Sequence, residues 1–130
     1  MSKSIKLKDN VYLSHDSIGI KIFKGRSTSP PSYTLPQSID KYKYLDFIFT
    51  RGTDYGEAVC RVYYDSSYAR NSGHANLFYT DSNSNLYLLS IKVLVDNTTV
   101  TFTPKMCDIF GHSIGTNNTE FFLIGIYGYK

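Results

Sequence analysis

Tryptophan is absent from this chain of 130 residues, cysteine and methionine occur twice each, and proline occurs four times. The two cysteines, Cys60 and Cys107, form no Cys-x-x-Cys pair and have no histidine at finger spacing, which excludes a zinc ribbon and a thioredoxin-type motif. Cys60 sits in an alternating apolar pattern and reads as a buried thiol. Spacing alone leaves open whether the two cysteines pair. No apolar run approaches the length that crosses a bilayer, so no membrane insertion is expected. No window repeats apolar residues at helical spacing between caps, and there is no coiled-coil or collagen-like stretch. Basic residues are scattered, and most of the lysines lie in the first forty-odd positions. A net charge of +3 without a basic cluster argues against nucleic acid as a partner. The start, MSKSIKLKDN, lacks the apolar region of a signal peptide, so synthesis in a cytoplasm without export by the usual route is the expectation. The sequons at Asn97 and Asn117 then read only as polar turns.

What is present suits strands. Hydrophobic residues make up 42% and charged residues 19%, enough apolar content to bury a core. Tyrosine occurs 12 times and phenylalanine 8 times, and both suit a pleated, half-buried surface. The length fits one domain with a short appendage. Residues 1–24 hold short period-2 fragments: Ile5 with Leu7, Val11 with Leu13, then Ile18, Ile20 and Ile22. None hides its apolar edge alone, so this segment needs a partner and reads as a docking or oligomerisation device. Residues 25–41 contain Pro30, Pro31 and Pro36 and read as a linker. Residues 42–130 carry the core. Leu45, Phe47 and Phe49 define one apolar strand face. Val59 to Tyr64 and Ala75 to Thr80 follow as strands. Leu89, Ile91, Val93 and Val95 line a long strand that turns at Asp96-Asn97 and returns through Val100 and Phe102, a hairpin that Pro104 is expected to end. The nearly continuous apolar run from Glu120 to Tyr127 reads as a central, buried strand. The whole pattern predicts an all-β antiparallel sandwich of jelly-roll type.

The chemistry is that of binding. Glycosidases need two carboxylates facing one cleft, whereas Asp9, Asp16, Asp65, Asp81 and Asp96 occupy turn contexts. His15, His74 and His112 have no metal spacing and no nucleophile elbow beside them, so no enzyme activity, metal or cofactor is expected. Tyr55, Tyr63, Tyr64, Tyr68 and Tyr79 lie in or beside polar loops. A tyrosine ring stacks on a sugar face while its hydroxyl hydrogen-bonds, and Arg70, Asn71 and His74 add donors in the longest loop. Tyr55, Tyr68, Arg70, Asn71 and His74 are the candidate ligand-binding residues. The plainer role for strand tyrosines is to cover sheet surfaces and subunit contacts.

The two ends carry a resemblance. Residues 4–13, SIKLKDNVYL, resemble the start of small tail and baseplate proteins of bacteriophages, and residues 122–130, FLIGIYGYK, are similar to their GYK terminus. The resemblance implies a virion structural protein of the tail, baseplate or fibre tip, synthesised in the host cytoplasm and assembled as a homotrimer. It further implies contact with other virion proteins through the N-terminal segment and multivalent recognition of a host-surface glycan. A free carbohydrate-binding lectin, a purely architectural decoration protein and a small polysaccharide depolymerase are the competing expectations.

Overall fold

Buried and exposed positions alternate along Glu57–Tyr63, Asn71–Thr80, Leu86–Asp96 and most of Thr99–Cys107, and their buried positions carry the apolar core residues. The computed structural model describes residues 5–8, 11–13, 18–52, 56–80, 83–108 and 119–130. Among the described residues there are ten strands: β1 (Ile5–Lys8), β2 (Val11–Leu13), β3 (Ile18–Thr28), β4 (Ser32–Thr34), β5 (Tyr44–Thr50), β6 (Glu57–Tyr63), β7 (Asn71–Thr80), β8 (Leu86–Asp96), β9 (Thr99–Cys107) and β10 (Phe122–Tyr129). Among the described residues the only helical element is a 3-10 turn at Ile39–Lys41, and no helix is long and apolar enough to cross a membrane. Every pairing is antiparallel, in a six-stranded sheet ordered β1-β2-β3-β10-β5-β6 and a four-stranded sheet ordered β4-β9-β8-β7. The fold is the all-β sandwich that the alternation predicts.

The core fills the space between the sheets. Leu45, Phe47 and Phe49 of β5 face Leu89, Ile91, Val93 and Val95 of β8 and Val100 and Phe102 of β9 in one buried cluster. Four phenylalanines lock the layers edge to face. Phe49 lies 5.7 Å from Phe102 and 5.6 Å from Phe121, and Phe47 lies 5.9 Å from Phe102, centroid to centroid. Such tilted pairs add stabilisation beyond the area they bury.

Two expectations about organisation change. Residues 25–41, expected as a linker, are built into the sandwich. β3 runs unbroken through Gly25 to Thr28 against β10, and β4 pairs with β9. Leu35 and Ile39 are buried, and their N–H groups donate to the carbonyls of Thr98 and Asn97 at 2.7 and 3.0 Å. Residues 18–24 likewise belong to β3, so the early apolar fragments find their partner in the sandwich, β2 on β3 and β1 on β2.

Pro104 does not end β9, which continues to Cys107 with Pro104 opposite Ile91. The reason lies two residues earlier. The Phe102 N–H points away from β8 and donates to the Pro31 carbonyl at 3.0 Å. By the two-residue period, position 104 directs its nitrogen to that same side, past the end of β4, where no ladder donor is needed. The jelly-roll pattern is kept in three pairings, β3 with β10, β10 with β5, and β4 with β9. A full roll would set β5 beside β8 and β9 beside β6; here β5 and β6 form a hairpin and β7-β8-β9 a meander.

Candidate functional site

β6 and β7 are the outer strands of opposite sheets, and the loop 64–70 between them closes one side of the sandwich. The closure is tight. A Cβ on Gly73 would lie 2.8 Å from the Cys60 Sγ and 2.9 Å from the Arg61 carbonyl, so only glycine fits at this seam.

The loop is ordered by its own polar groups. The Ser67 N–H donates to the Asp65 Oδ1 at 2.9 Å, the Asx turn its sequence invites. The Asp65 carbonyl accepts from the Tyr68 N–H and from the Asn71 Nδ2, both at 3.2 Å. The Tyr64 N–H donates to the Lys43 carbonyl at 3.1 Å, tying the loop to the chain before β5. Asn71 is buried, so its side chain braces the loop from below. Over this frame lies an open cleft of about 360 Å³ lined by Arg61, Tyr63, Asp65, Tyr68, Arg70, Asn71 and Ser72. Tyr63 and Tyr68 expose 57% and 66% of their surface, far more than ring burial would favour.

Arg61 is the fixed cation of the cleft. Its Nε and Nη2 donate to the two carboxylate oxygens of Asp46 at 2.8 and 2.9 Å, and its guanidinium sits 4.0 Å from the Tyr44 ring centre. The hydrogen bonds to Asp46 raise its pKa further, against the desolvation that lowers it. Cross-strand register then extends the aromatic surface away from the cleft. Tyr63 opposes Tyr44, Tyr44 opposes Tyr129, and Tyr129 opposes Gly19. The Tyr44 ring is 5.3 Å from that of Tyr63 and stacks at 4.7 Å on that of Tyr129. Gly19 leaves room for the last ring, since a Cβ there would come within 2.9 Å of it. Burial raises the pKa of the Tyr129 phenol, and the nearby Asp46 charge adds to the shift, so the ring stays neutral and hydrogen-bonding well past neutrality. Three rings from three neighbouring strands span roughly 10 Å of the outer face.

Of the candidate residues, Tyr68, Arg70 and Asn71 come together in this cleft. His74 does not. It points from β7 onto the outer face of the four-stranded sheet, opposite Lys92. Tyr55 lies outside the described residues. Tyr79 faces inward, 9% exposed, with its ring 5.4 Å from Tyr87 and under the Arg51 guanidinium at 4.0 Å. Sequence reasoning missed Arg61, Asp65 and Ser72. The signal for Arg61 was the opposite charge of Asp46 on a neighbouring strand, which becomes visible only once the β5–β6 register is known.

Asp65 is the one carboxylate among the described lining residues, and its Oδ1 already accepts from Ser67. Among the described residues no group of three His, Cys, Asp or Glu side chains converges on a metal position. Both cysteines are free and buried. Burial, with a smaller contribution from the Asp46 charge, pushes the Cys60 thiol up to about 12, which removes it as a nucleophile at neutral pH. No family model matches the chain, and no curated protein or solved structure is significantly similar to it.

Proposed function

We propose that the chain is a non-enzymatic recognition module of a bacteriophage virion, at the tail, baseplate or fibre tip, that binds a host-surface glycan through the β6–β7 cleft. One observation carries the glycan reading: two exposed tyrosine rings flank a polar cleft with two arginines, and a row of further rings leads out of it. Sugars present apolar faces that stack on rings and hydroxyls that pair with planar donors such as guanidinium groups. An open cleft continuous with a row of rings suits an extended oligosaccharide better than a compact cofactor. The carboxylates favour binding over cleavage, since the acid of the cleft serves its own turn and Asp46 is held by Arg61.

The virion assignment rests on the likeness of residues 4–13 and 122–130 to phage tail and baseplate proteins. Assembly as a homotrimer belongs to the same reading. Weak single sites, each roughly millimolar, gain avidity when copies engage one surface together. The N-terminal segment then serves contact with neighbouring virion proteins.

Tyr68→Ala tests the cleft. The ring is exposed, so stability should stay within about 0.5 kcal/mol of the parent. Retention on immobilised bacterial surface polysaccharides should fall about twofold to tenfold, given a stacking contribution of roughly 0.5–1.5 kcal/mol. Unchanged retention on every polysaccharide that the parent binds would remove the cleft from the binding site.

A further inference from the structure

We infer that the outer face of the four-stranded sheet holds a second site, distinct from the cleft, that binds the oxyanion groups of an acidic polysaccharide. His74, Ser90, Lys92, Thr103 and Lys105 line a shallow depression of about 170 Å³ there. Register builds it. His74 of β7 opposes Lys92 of β8, Lys92 opposes Thr103 of β9, and Ser90 opposes Lys105. Lys92 and Lys105 are therefore diagonal neighbours, about 7–8 Å apart or somewhat less between Cβ atoms, from which two flexible ammonium groups reach one shared anion.

Three features point to an anion. Each lining side chain supplies a donor, and both lysines offer donors only. The positions flanking them on this face are Ser72, Asn76, Leu88, Leu94, Thr101 and Cys107, none of which is acidic. Asp96 is the only carboxylate on the outward side of β7, β8 and β9, four residues along from Lys92, or roughly 13 Å. Among the described residues, no ion pair holds Lys92, Lys105 or His74. The two ammonium groups on diagonal positions repel each other, and an anion between them turns that repulsion into two attractions. The cations are two lysines in one depression, without the stripe of basic residues that nucleic acid requires. Carboxylate groups and phosphate groups on a polysaccharide share the chemistry needed.

The test is equilibrium binding of the full chain to four probes at low salt: polygalacturonate, a phosphate-bearing mannan, neutral dextran and a single-stranded oligonucleotide. Binding to one or both acidic polymers, weakened by added salt, is expected, and the preferred polymer names the anion. Lys92→Gln and Lys105→Gln should each lower affinity about threefold to tenfold, while Lys41→Gln, on the 3-10 turn, changes nothing. Both substitutions are on exposed side chains, and an unchanged unfolding midpoint confirms that folding is intact. Tyr68→Ala should leave acidic-polymer binding as it was, which separates this site from the cleft. Equal binding of neutral dextran, no binding of either acidic polymer, tighter binding of the oligonucleotide, or an unaffected Lys92→Gln/Lys105→Gln double variant would each overturn the inference.

Discussion

Replacing Arg61 should cost more than replacing its partner Asp46, although only one ion pair is involved. The two side chains differ in exposure, 11% for Asp46 and 44% for Arg61. In Arg61→Ala, a nearly buried carboxylate loses both charge-assisted bonds and meets little water in return. The loss is dominated by desolvation of the orphaned charge, about 2–3 kcal/mol. In Asp46→Asn the amide oxygen still accepts one bond. The guanidinium keeps the Tyr44 ring and water over its exposed half, so the cost is about 1 kcal/mol. Arg61→Lys falls between, since an ammonium cannot make the two-pronged contact. Urea unfolding of the three variants reads these differences as shifts of the midpoint at constant slope. An Asp46→Asn cost equal to or above that of Arg61→Ala would refute the argument that burial of the acid, and not the pair itself, sets the energy.

Two further outcomes follow from the β6–β7 seam. Gly73→Ala should destabilise by about 1–3 kcal/mol, because the Arg61 carbonyl is backbone and cannot yield to the added methyl. Adding Cys60→Ala should recover only the part due to the sulfur, and a double-mutant cycle separates the two; full recovery would mean that the carbonyl contact relaxes freely. The Cys60 thiol, raised from 9 to about 12 by burial, keeps its proton in the fold where the unfolded chain loses it. Its contribution is fully present below pH 9 and is lost as pH climbs to about 12, at up to about 1.4 kcal/mol per pH unit. Tyr42 and Tyr129, raised from 10 by burial, add their losses only above that value. Cys60→Ala should therefore flatten the stability profile first between pH 9 and 10, as measured by urea midpoints; an unchanged slope there would show that the thiol ionises alike in both states.

The sheets were legible where a single strand carries its own signal. Leu45, Phe47 and Phe49 announce their inward face by alternation alone, and Asn97 adopts the left-handed φ of 54° that a two-residue turn demands. What escaped was everything that depends on which strands become neighbours. A proline ends a strand only if its nitrogen faces a partner, and position 104 faces the open side. An extended, proline-rich stretch looks the same whether it is a free linker or a short edge strand, and the two burials that distinguish them, Leu35 and Ile39, are isolated apolar residues in a polar context. The cleft was half visible for the same reason. Tyr68, Arg70 and Asn71 are close in sequence and stay close in space, whereas Arg61 joins them through sheet register. His74, only three residues beyond Asn71, leaves because alternate positions of β7 face opposite sides of the sandwich.

The sheet edges decide how copies of the chain can assemble through backbone pairing. β6 and β7 lie against each other around Gly73, where an added Cβ would meet the Arg61 carbonyl. β4 is three residues long and is flanked by Pro30, Pro31 and Pro36, which deny donors to an incoming strand. Among the described strands that leaves β1 as the open edge. Strand pairing between copies through β1 is tested by a chain beginning at Ser17, which isolates that contribution. It removes β1 and β2 but keeps β3, whose loss would strip β10 of one neighbour. The solution mass, measured beside that of the full chain, should fall from trimer to monomer with little change in the unfolding midpoint. A trimer that persists without residues 1–16 would move assembly onto the faces of the sandwich. The aromatic row from Tyr63 to Tyr129 would then be the surface to test next, because the same rings cannot both cover a subunit contact and present themselves to a sugar.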